Sequence, residues 1–174
     1  MLVGNLVKLT PILPTDFGVL FGWADDLEAA RLNEAYRPPV WKGQEDLWFN
    51  RAQDPTRVFF ALRRREEAGL VGYVQIWNID AVHRSATIGL RVGEAAERGK
   101  GYGGEALRLA LDFCWNHLNL SRIALNVFAD NAAAIRLYTA QGFETEGVCR
   151  RAQFIDGRWV DLVLMARLHP SREG

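Results

Sequence analysis

Residues 97–107 read ERGKGYGGEAL and stand directly before a strongly amphipathic segment. Three of their glycines satisfy the G-x-G-x-x-G pattern of a dinucleotide-binding turn, namely Gly99, Gly101 and Gly104. Glycines let a backbone approach an anion closely, and the start of a helix offers unpaired N–H groups and the positive end of its dipole. Arg98 and Lys100 add positive charge to the same turn. The stretch therefore predicts a pyrophosphate cradle, with a tight turn carrying surface basic residues as the alternative.

The better-known nucleotide-binding folds fit the surrounding sequence poorly. A Rossmann domain needs repeated strand–helix–strand units, whereas a strand meander precedes the loop and only about seventy residues follow it. Asp130 lies 31 residues after Gly99, later than the acid of the dinucleotide fingerprint at about 20 residues. No Lys-Ser or Lys-Thr follows the glycines, and no HRD or DFG motif exists. A nicotinamide oxidoreductase is therefore the third choice.

The hydrophobic patterning predicts one α/β domain over residues 1–174 with the order β-αα-βββ-α-β-α-ββ and a mixed sheet. Helical patterns cover residues 17–23, residues 25–53, the segment after the glycines and residues 131–140. The third of these helices carries an apolar stripe formed by Leu107, Leu111, Cys114 and Leu118. The predicted strands span residues 3–9, 57–62, 70–79, 85–92, 122–128, 143–151 and 158–168, the last two joined at Asp156-Gly157.

Composition excludes several classes of function. The 174 residues are 49% hydrophobic and carry 21 basic and 21 acidic side chains, so no overall field favours nucleic acid or a membrane surface. Residues 1–56 have a net charge of −3 and the remainder +3, which suits a cationic substrate facing an anionic cofactor or reflects scattered surface charge. Cys114, Cys149 and the three histidines lack metal-ligand spacing. We expect two buried, reduced thiols, no metal site, no membrane span and a cytoplasmic location.

Two motifs together resemble the GNAT superfamily of N-acetyltransferases. RGKGYGG, residues 98–104, follows the strand IGLRV and is similar to the family's acetyl-CoA pyrophosphate loop, through Arg98, Gly101 and Gly103. ADNAAAIRLYTAQGF, residues 129–143, is similar to the family's second motif through Asn131, Ala134, Tyr138, Gly142 and Phe143. The segments VHRSATIGL and FIDGRWVDLVLMARL resemble the branch that holds spermidine and ribosomal-protein N-terminal acetyltransferases.

This resemblance implies a GNAT-like, mostly antiparallel central sheet of about seven strands flanked by about four helices. It also implies acetyl-CoA as co-substrate, direct attack of a primary amine on the thioester, and Tyr138 as the general acid that protonates the leaving thiolate. A phenol with a pKa near 10 is protonated at neutral pH and suits that role. The implied cofactor-binding residues are Leu90, Arg91, Val92, Arg98, Gly99, Lys100, Gly101, Tyr102, Gly103, Gly104, Asn131, Ala134 and Arg136.

The general base and the acceptor stay open at this point. Thr87 stands where the polyamine enzymes carry Glu, and Asn126 stands where some protein N-terminal acetyltransferases carry Glu, so neither position supplies a base. Other candidates are Asp26, Glu28, Glu34 and Glu45, each of which also suits a solvated surface charge, while His83 is predicted to lie in a turn. The acceptor is a peptide amino terminus, a polyamine or another small amine. A non-catalytic acyl-CoA-binding module is the alternative function, and a homodimer through the carboxy-terminal strands is a further expectation.

Overall fold

The computed structural model describes residues 1–31, 37–50 and 54–171. Its strands are β1 (Leu2–Val3), β2 (Val7–Thr10), β3 (Val58–Arg64), β4 (Leu70–Asp80), β5 (Ser85–Val92), β6 (Arg122–Phe128), β7 (Glu144–Ile155) and β8 (Arg158–Leu168). Its α-helices are α1 (Phe17–Ala24), α2 (Leu27–Ala30), α3 (Trp41–Glu45), α4 (Tyr102–Asn116) and α5 (Ala132–Ala140). A π-helical turn, Asp46–Asn50, continues α3.

All eight strands belong to one sheet in the order β1-β2-β3-β4-β5-β6-β8-β7. Every neighbouring pair is antiparallel except β5 and β6, which run parallel. The parallel pair arises because α4 forms the crossover between those two strands, and a parallel connection needs such a crossover. The predicted α/β class with a mixed, mostly antiparallel sheet is confirmed.

The sheet has one strand more than predicted, because the first predicted strand, residues 3–9, is two strands joined by a tight turn. The amide of Gly4 donates to the carbonyl of Val7 at 2.8 Å and closes this turn. Leu2 and Val3 then pair with Leu9 and Lys8. The apolar residues on both sides of the turn gave a continuous strand pattern in the sequence, which concealed the reversal.

Helices α4 and α5 cover one face of the sheet and form the larger core. Leu107, Leu111 and Cys114 of the predicted stripe are fully buried, whereas Leu118 lies beyond the end of α4 at Asn116 and is half-buried. The core continues through Tyr138, near the carboxy-terminal end of α5, and through Phe143, which follows the helix. Within the described ranges, no helix combines the length and the apolar character that crossing a bilayer requires.

The other face carries an aromatic cluster beneath the amino-terminal helices. Phe17 and Trp23 of α1 are buried with Trp48, and they pack against Tyr73 of β4. The ring of Trp48 lies 4.9 Å from that of Tyr73 in an edge-on arrangement, a geometry that aromatic quadrupoles favour. These aromatic residues therefore attach the first helices to the sheet.

The prediction of two buried thiols is wrong for one of them. Cys114 is fully buried in α4, but Cys149 is exposed on β7. Strand β7 is the edge strand of the sheet, and most of its side chains reach solvent. Position at a sheet edge depends on the strand order, which the local sequence around Cys149 does not encode.

Candidate active site

The parallel strands β5 and β6 separate after three pairs of residues. Ser85, Ala86 and Thr87 pair with residues 122–124, and the register stops there. Beyond this point β5 stays paired with β4, and β6 stays paired with β8. The edges of β5 and β6 that face one another therefore diverge, which opens a cleft in the middle of the sheet at the amino-terminal ends of α4 and α5.

The cleft has a volume of about 620 Å³, within the range of small-molecule and cofactor sites. It brings together residues from both predicted motifs, which lie about thirty positions apart in the sequence. The expected site residues that line it are Leu90, Arg91, Val92, Arg98, Gly99, Gly101, Tyr102, Gly103, Gly104, Asn131, Ala134 and Tyr138. Lys100 and Arg136 are exposed and are not among the lining residues.

The glycine loop has the geometry of an anion cradle. Gly99 and Gly101 adopt φ angles of 77° and 84°, in the left-handed region that side chains disfavour. Gly101 is the N-cap of α4, and no described side chain caps the helix there, so the first N–H groups of α4 remain available. A Cβ atom on Gly103 would lie 3.3 Å from Leu90, so this glycine lets α4 approach β5 closely.

The basic side chains of the loop bind protein groups. The guanidinium of Arg98 donates to the carbonyls of Val92 and Gly93 at 3.3 and 2.9 Å, which ties the loop to the end of β5. Lys100 Nζ lies 3.3 Å from Glu97, which also accepts a 2.6 Å hydrogen bond from Arg64. Arg64 and Lys100 hold the pKa of the Glu97 carboxyl below its usual value. Backbone N–H groups are therefore the main anion donors that the loop offers.

Tyr138, near the carboxy-terminal end of α5, lines the cleft and is 8% exposed. Its ring packs edge-on against Phe143, with 5.7 Å between the centroids. Burial raises the pKa of the phenol to about 12, because the charged phenolate loses solvation. Asn131, from the same motif, accepts a 3.1 Å hydrogen bond from the amide of Ala134 and caps α5.

Among the described residues, no carboxylate that the sequence proposed as a base lines the cleft. Glu28 pairs with Arg31 at 2.6 Å, Glu45 is exposed, and Asp26 lies beside Arg91. Glu34 lies outside the described residues. His83 belongs to the turn between β4 and β5, where its amide donates to Asp80.

Of the two positions that the family resemblance compares with a glutamate, Asn126 lines the cleft, and Thr87 lies at the last pair of the parallel register. Among the described residues, no group of three or more His, Cys, Asp or Glu side chains could hold a metal ion.

Sequence reasoning missed several lining residues, among them Trp77, Glu97, Val127, Phe128, Ala133, Leu137, Gln153 and Leu162. Leu137 could have been found, because it follows Ala134 by three positions and so shares a face of α5 with it. Trp77 could not, because it reaches the cleft through the β4–β5 register, in which it pairs with Thr87.

Comparison with known proteins identifies this combination of fold and cleft. The model of the acetyltransferase (GNAT) domain family matches residues 7–144, and the chain belongs to this family. It is 31% identical over 121 residues to spermidine N(1)-acetyltransferase of Vibrio cholerae, covering 70% of this chain and 69% of that protein. It is 26% identical to the probable N-acetyltransferase YjcK of Bacillus subtilis, with 99% of each protein covered.

A solved structure agrees with the family assignment. The crystal structure of the Vibrio cholerae spermidine N-acetyltransferase in complex with CoA and spermine matches with a TM-score of 0.87 and 26% identity, covering 95% of this chain and 96% of that one. The chain is therefore an acetyl-CoA-dependent N-acetyltransferase. Acetyl-CoA as co-substrate is confirmed. The comparisons favour an acetyltransferase over the two alternative interpretations, a non-catalytic acyl-CoA-binding module and a nicotinamide oxidoreductase.

Proposed function

We propose that this enzyme acetylates a primary amine by direct attack on the thioester, with residues 1–174 forming one catalytic domain. The observation that carries the proposal is the cleft that forms where β5 and β6 separate, because the glycine loop before α4 and Tyr138 both line it. When bound, acetyl-CoA supplies a thioester whose acetyl carbon accepts the amine as the CoA thiolate departs. One sheet contains strands from Leu2 to Leu168, which supports a single domain.

In this proposal the main-chain amides of residues 99–104 bind the pyrophosphate. The dipole of α4 favours an anion at its first turn by roughly 0.3–1 kcal/mol at an exposed site. Leu90, Arg91 and Val92 present their main chain to the cleft along the edge of β5 that β6 has left. Those groups would align the pantetheine arm, and an N–H there would polarise the acetyl carbonyl. Asn131 and Ala134 would contact the cofactor from the other side.

Tyr138 would serve as the proton donor to sulfur. The phenol is buried at the cleft, and with a pKa of about 12 it stays protonated at neutral pH. A thiol titrates near 8.5, so complete transfer of the proton to a free thiolate would cost about 5 kcal/mol. The proposed role is therefore a hydrogen bond that strengthens as charge develops on sulfur, with proton transfer following as the sulfur leaves.

Replacing Tyr138 with phenylalanine tests this role. We expect kcat to fall about 10²- to 10⁴-fold, the usual contribution of a positioned acid, because the variant keeps the ring packing against Phe143 but has no proton to donate. CoA affinity, measured by calorimetry, should change little. Thr139→Val is the matched control, since it removes a hydroxyl from the exposed side of the same helix. Equal losses of kcat and CoA affinity would show that Tyr138 is a packing residue.

A further inference from the structure

Arg91 points away from the glycine loop, toward the face of the sheet that carries α1. Its neighbours Leu90 and Val92 lie against Gly103 of α4. Side chains alternate between faces along a strand, so Arg91 projects from the opposite face of the sheet. There its guanidinium lies 6.0 Å from the ring centre of Trp23 in α1. Arg91 also belongs to the residues that line the cleft, so it joins the cofactor groove to the region under the first helices.

The guanidinium of Arg91 is buried with two unused donors. Its side chain is 10% exposed, and neither Nε nor Nη2 has a hydrogen-bond partner among the described residues. A buried donor without a partner is costly, and more so on a charged group. Nε–H and Nη2–H lie along one edge of the planar group, and this edge donates two parallel hydrogen bonds to a single carboxylate. The vacant edge therefore matches a carboxylate better than any cation.

The carboxylate of Asp26 does not complete this edge. Its Oδ2 atom lies 3.9 Å from Nη2, beyond hydrogen-bond distance, and its side chain is 41% exposed. The buried pair Arg63–Asp16 shows how this fold closes an internal ion pair, with hydrogen bonds of 3.0 and 2.6 Å. In the part of the chain that the structure describes, Arg91 has no carboxylate at hydrogen-bond distance from Nε or Nη2, although its side chain is only 10% exposed.

Three acidic side chains of the amino-terminal region form ion pairs with arginines. Asp16 binds Arg63, Glu28 binds Arg31, and Asp54 binds Arg57. Their negative charge is therefore largely balanced within the protein. At the cleft itself, a polycation would meet the buried positive charge of Arg91. This charge favours an acceptor with an anionic group.

We propose that the acceptor is a primary amine that also carries a carboxylate, and that Arg91 binds this carboxylate through Nε and Nη2. The inference rests on the proposed function and specifies the substrate class of the same cleft. Arg91 is thereby a specificity-determining residue, because the amine reacts at the thioester while the carboxylate selects the molecule. Such acceptors include free amino acids and short peptides.

The test compares acceptors that differ only in the carboxylate. Alanyl-alanine and 6-aminohexanoate are assayed against their amides, with spermidine as a third class, by CoA thiol release and mass spectrometry of the products. We expect the acid of at least one pair to exceed its amide in kcat/KM by about 10- to 100-fold, as a charge-assisted bidentate contact implies. In Arg91→Met the acid-to-amide ratio should fall by the same factor. Arg91→Lys should retain part of it, since lysine keeps the charge without the fork.

CoA affinity and the melting temperature check that each variant is folded. Arg84→Met, which changes an arginine just before the far end of β5, is the control. Its acid-to-amide ratio of kcat/KM should equal that of the unsubstituted enzyme. If acids and amides react equally, or if Arg91→Met and Arg91→Lys keep the full preference, the carboxylate assignment is overturned while the acetyltransferase activity stands. A preference for spermidine over every acid overturns it in the same way. Failure to release CoA with every amine would instead overturn the proposed function and this inference with it.

Discussion

Replacing Glu105 with glutamine probes how the amino-terminal hairpin holds the cofactor loop. The carboxylate of Glu105, in the first turn of α4, accepts hydrogen bonds from the amides of Asn5, Leu6 and Val7 at 2.8, 2.7 and 2.8 Å. Its side chain is 11% exposed. A Cβ on Gly101, the N-cap of α4, would lie 3.3 Å from Leu6, so the hairpin touches the helix start that forms the cradle.

The expected loss follows from the donors that glutamine leaves unmatched. The side-chain oxygen of the glutamine can still accept hydrogen bonds from the amides of Leu6 and Val7. Its NH₂ group then faces the backbone N–H of Asn5, and two donors cannot form a hydrogen bond with each other. A hydrogen bond to a charged group contributes about 1.5–3 kcal/mol, and we expect the free energy of unfolding to fall by about that amount. Because α4 would also be less firmly placed, CoA should bind more weakly.

The pH dependence supplies a second signature. Burial raises the pKa of Glu105, but the three backbone donors outweigh it and leave the pKa below its usual value. A lowered folded-state pKa means that the carboxylate stabilises the fold fully above its unfolded pKa, near 4.3. That contribution is lost as the pH falls through the folded-state pKa. The difference between Glu105→Gln and the unsubstituted protein should therefore be constant at neutral pH and shrink below about pH 4.

Urea unfolding at several pH values, together with calorimetry of CoA binding, measures both effects. Asp112→Asn is the matched control, because it neutralises a carboxylate on the same helix that is 56% exposed, and its effect should stay within about 0.5 kcal/mol. Gly4→Ala provides an independent perturbation, since its Cβ would lie 2.4 Å from the Glu105 carboxyl carbon. If Glu105→Gln matched Asp112→Asn in stability and in CoA affinity, the hairpin would have no part in positioning the loop.

Two further results are expected from other parts of the fold. Asp16→Ala should lower the free energy of unfolding by about 3–5 kcal/mol, because it leaves the buried charge of Arg63 without its carboxylate; a loss below about 1 kcal/mol in urea titration would show that solvent reaches the pair. A chromogenic disulfide reagent should label Cys149 alone in the folded protein and both cysteines after unfolding. Burial raises the pKa of Cys114 to about 12 and keeps it from reagent, so labelling of both thiols at equal rates would contradict this burial.

Much of the cradle was predictable because its chemistry is local. Gly99 and Gly101 lie in the turn that the glycine pattern predicted, where both adopt left-handed φ angles, and Asn131 caps the short helix that was predicted from residue 131. The cofactor roles of the lining residues and the acid role of Tyr138 remain predictions. The basic residues of the loop show where local reasoning ends, because Lys100 lies against Glu97, and Glu97 is fixed by Arg64 from another strand.

Sequence patterning by itself determined the α/β class and the order of most elements, because periodicity, glycine turns and helix caps act over a few residues. The two motifs that resemble the GNAT family are also short, contiguous stretches of the sequence. Only the tertiary structure decided where β5 and β6 separate and on which face of the sheet Arg91 lies. It also decided that the backbone amides of the hairpin around Gly4 donate hydrogen bonds to Glu105. These features depend on contacts between residues up to about a hundred positions apart. The register and packing of the whole sheet set such contacts, and no short stretch of sequence encodes them.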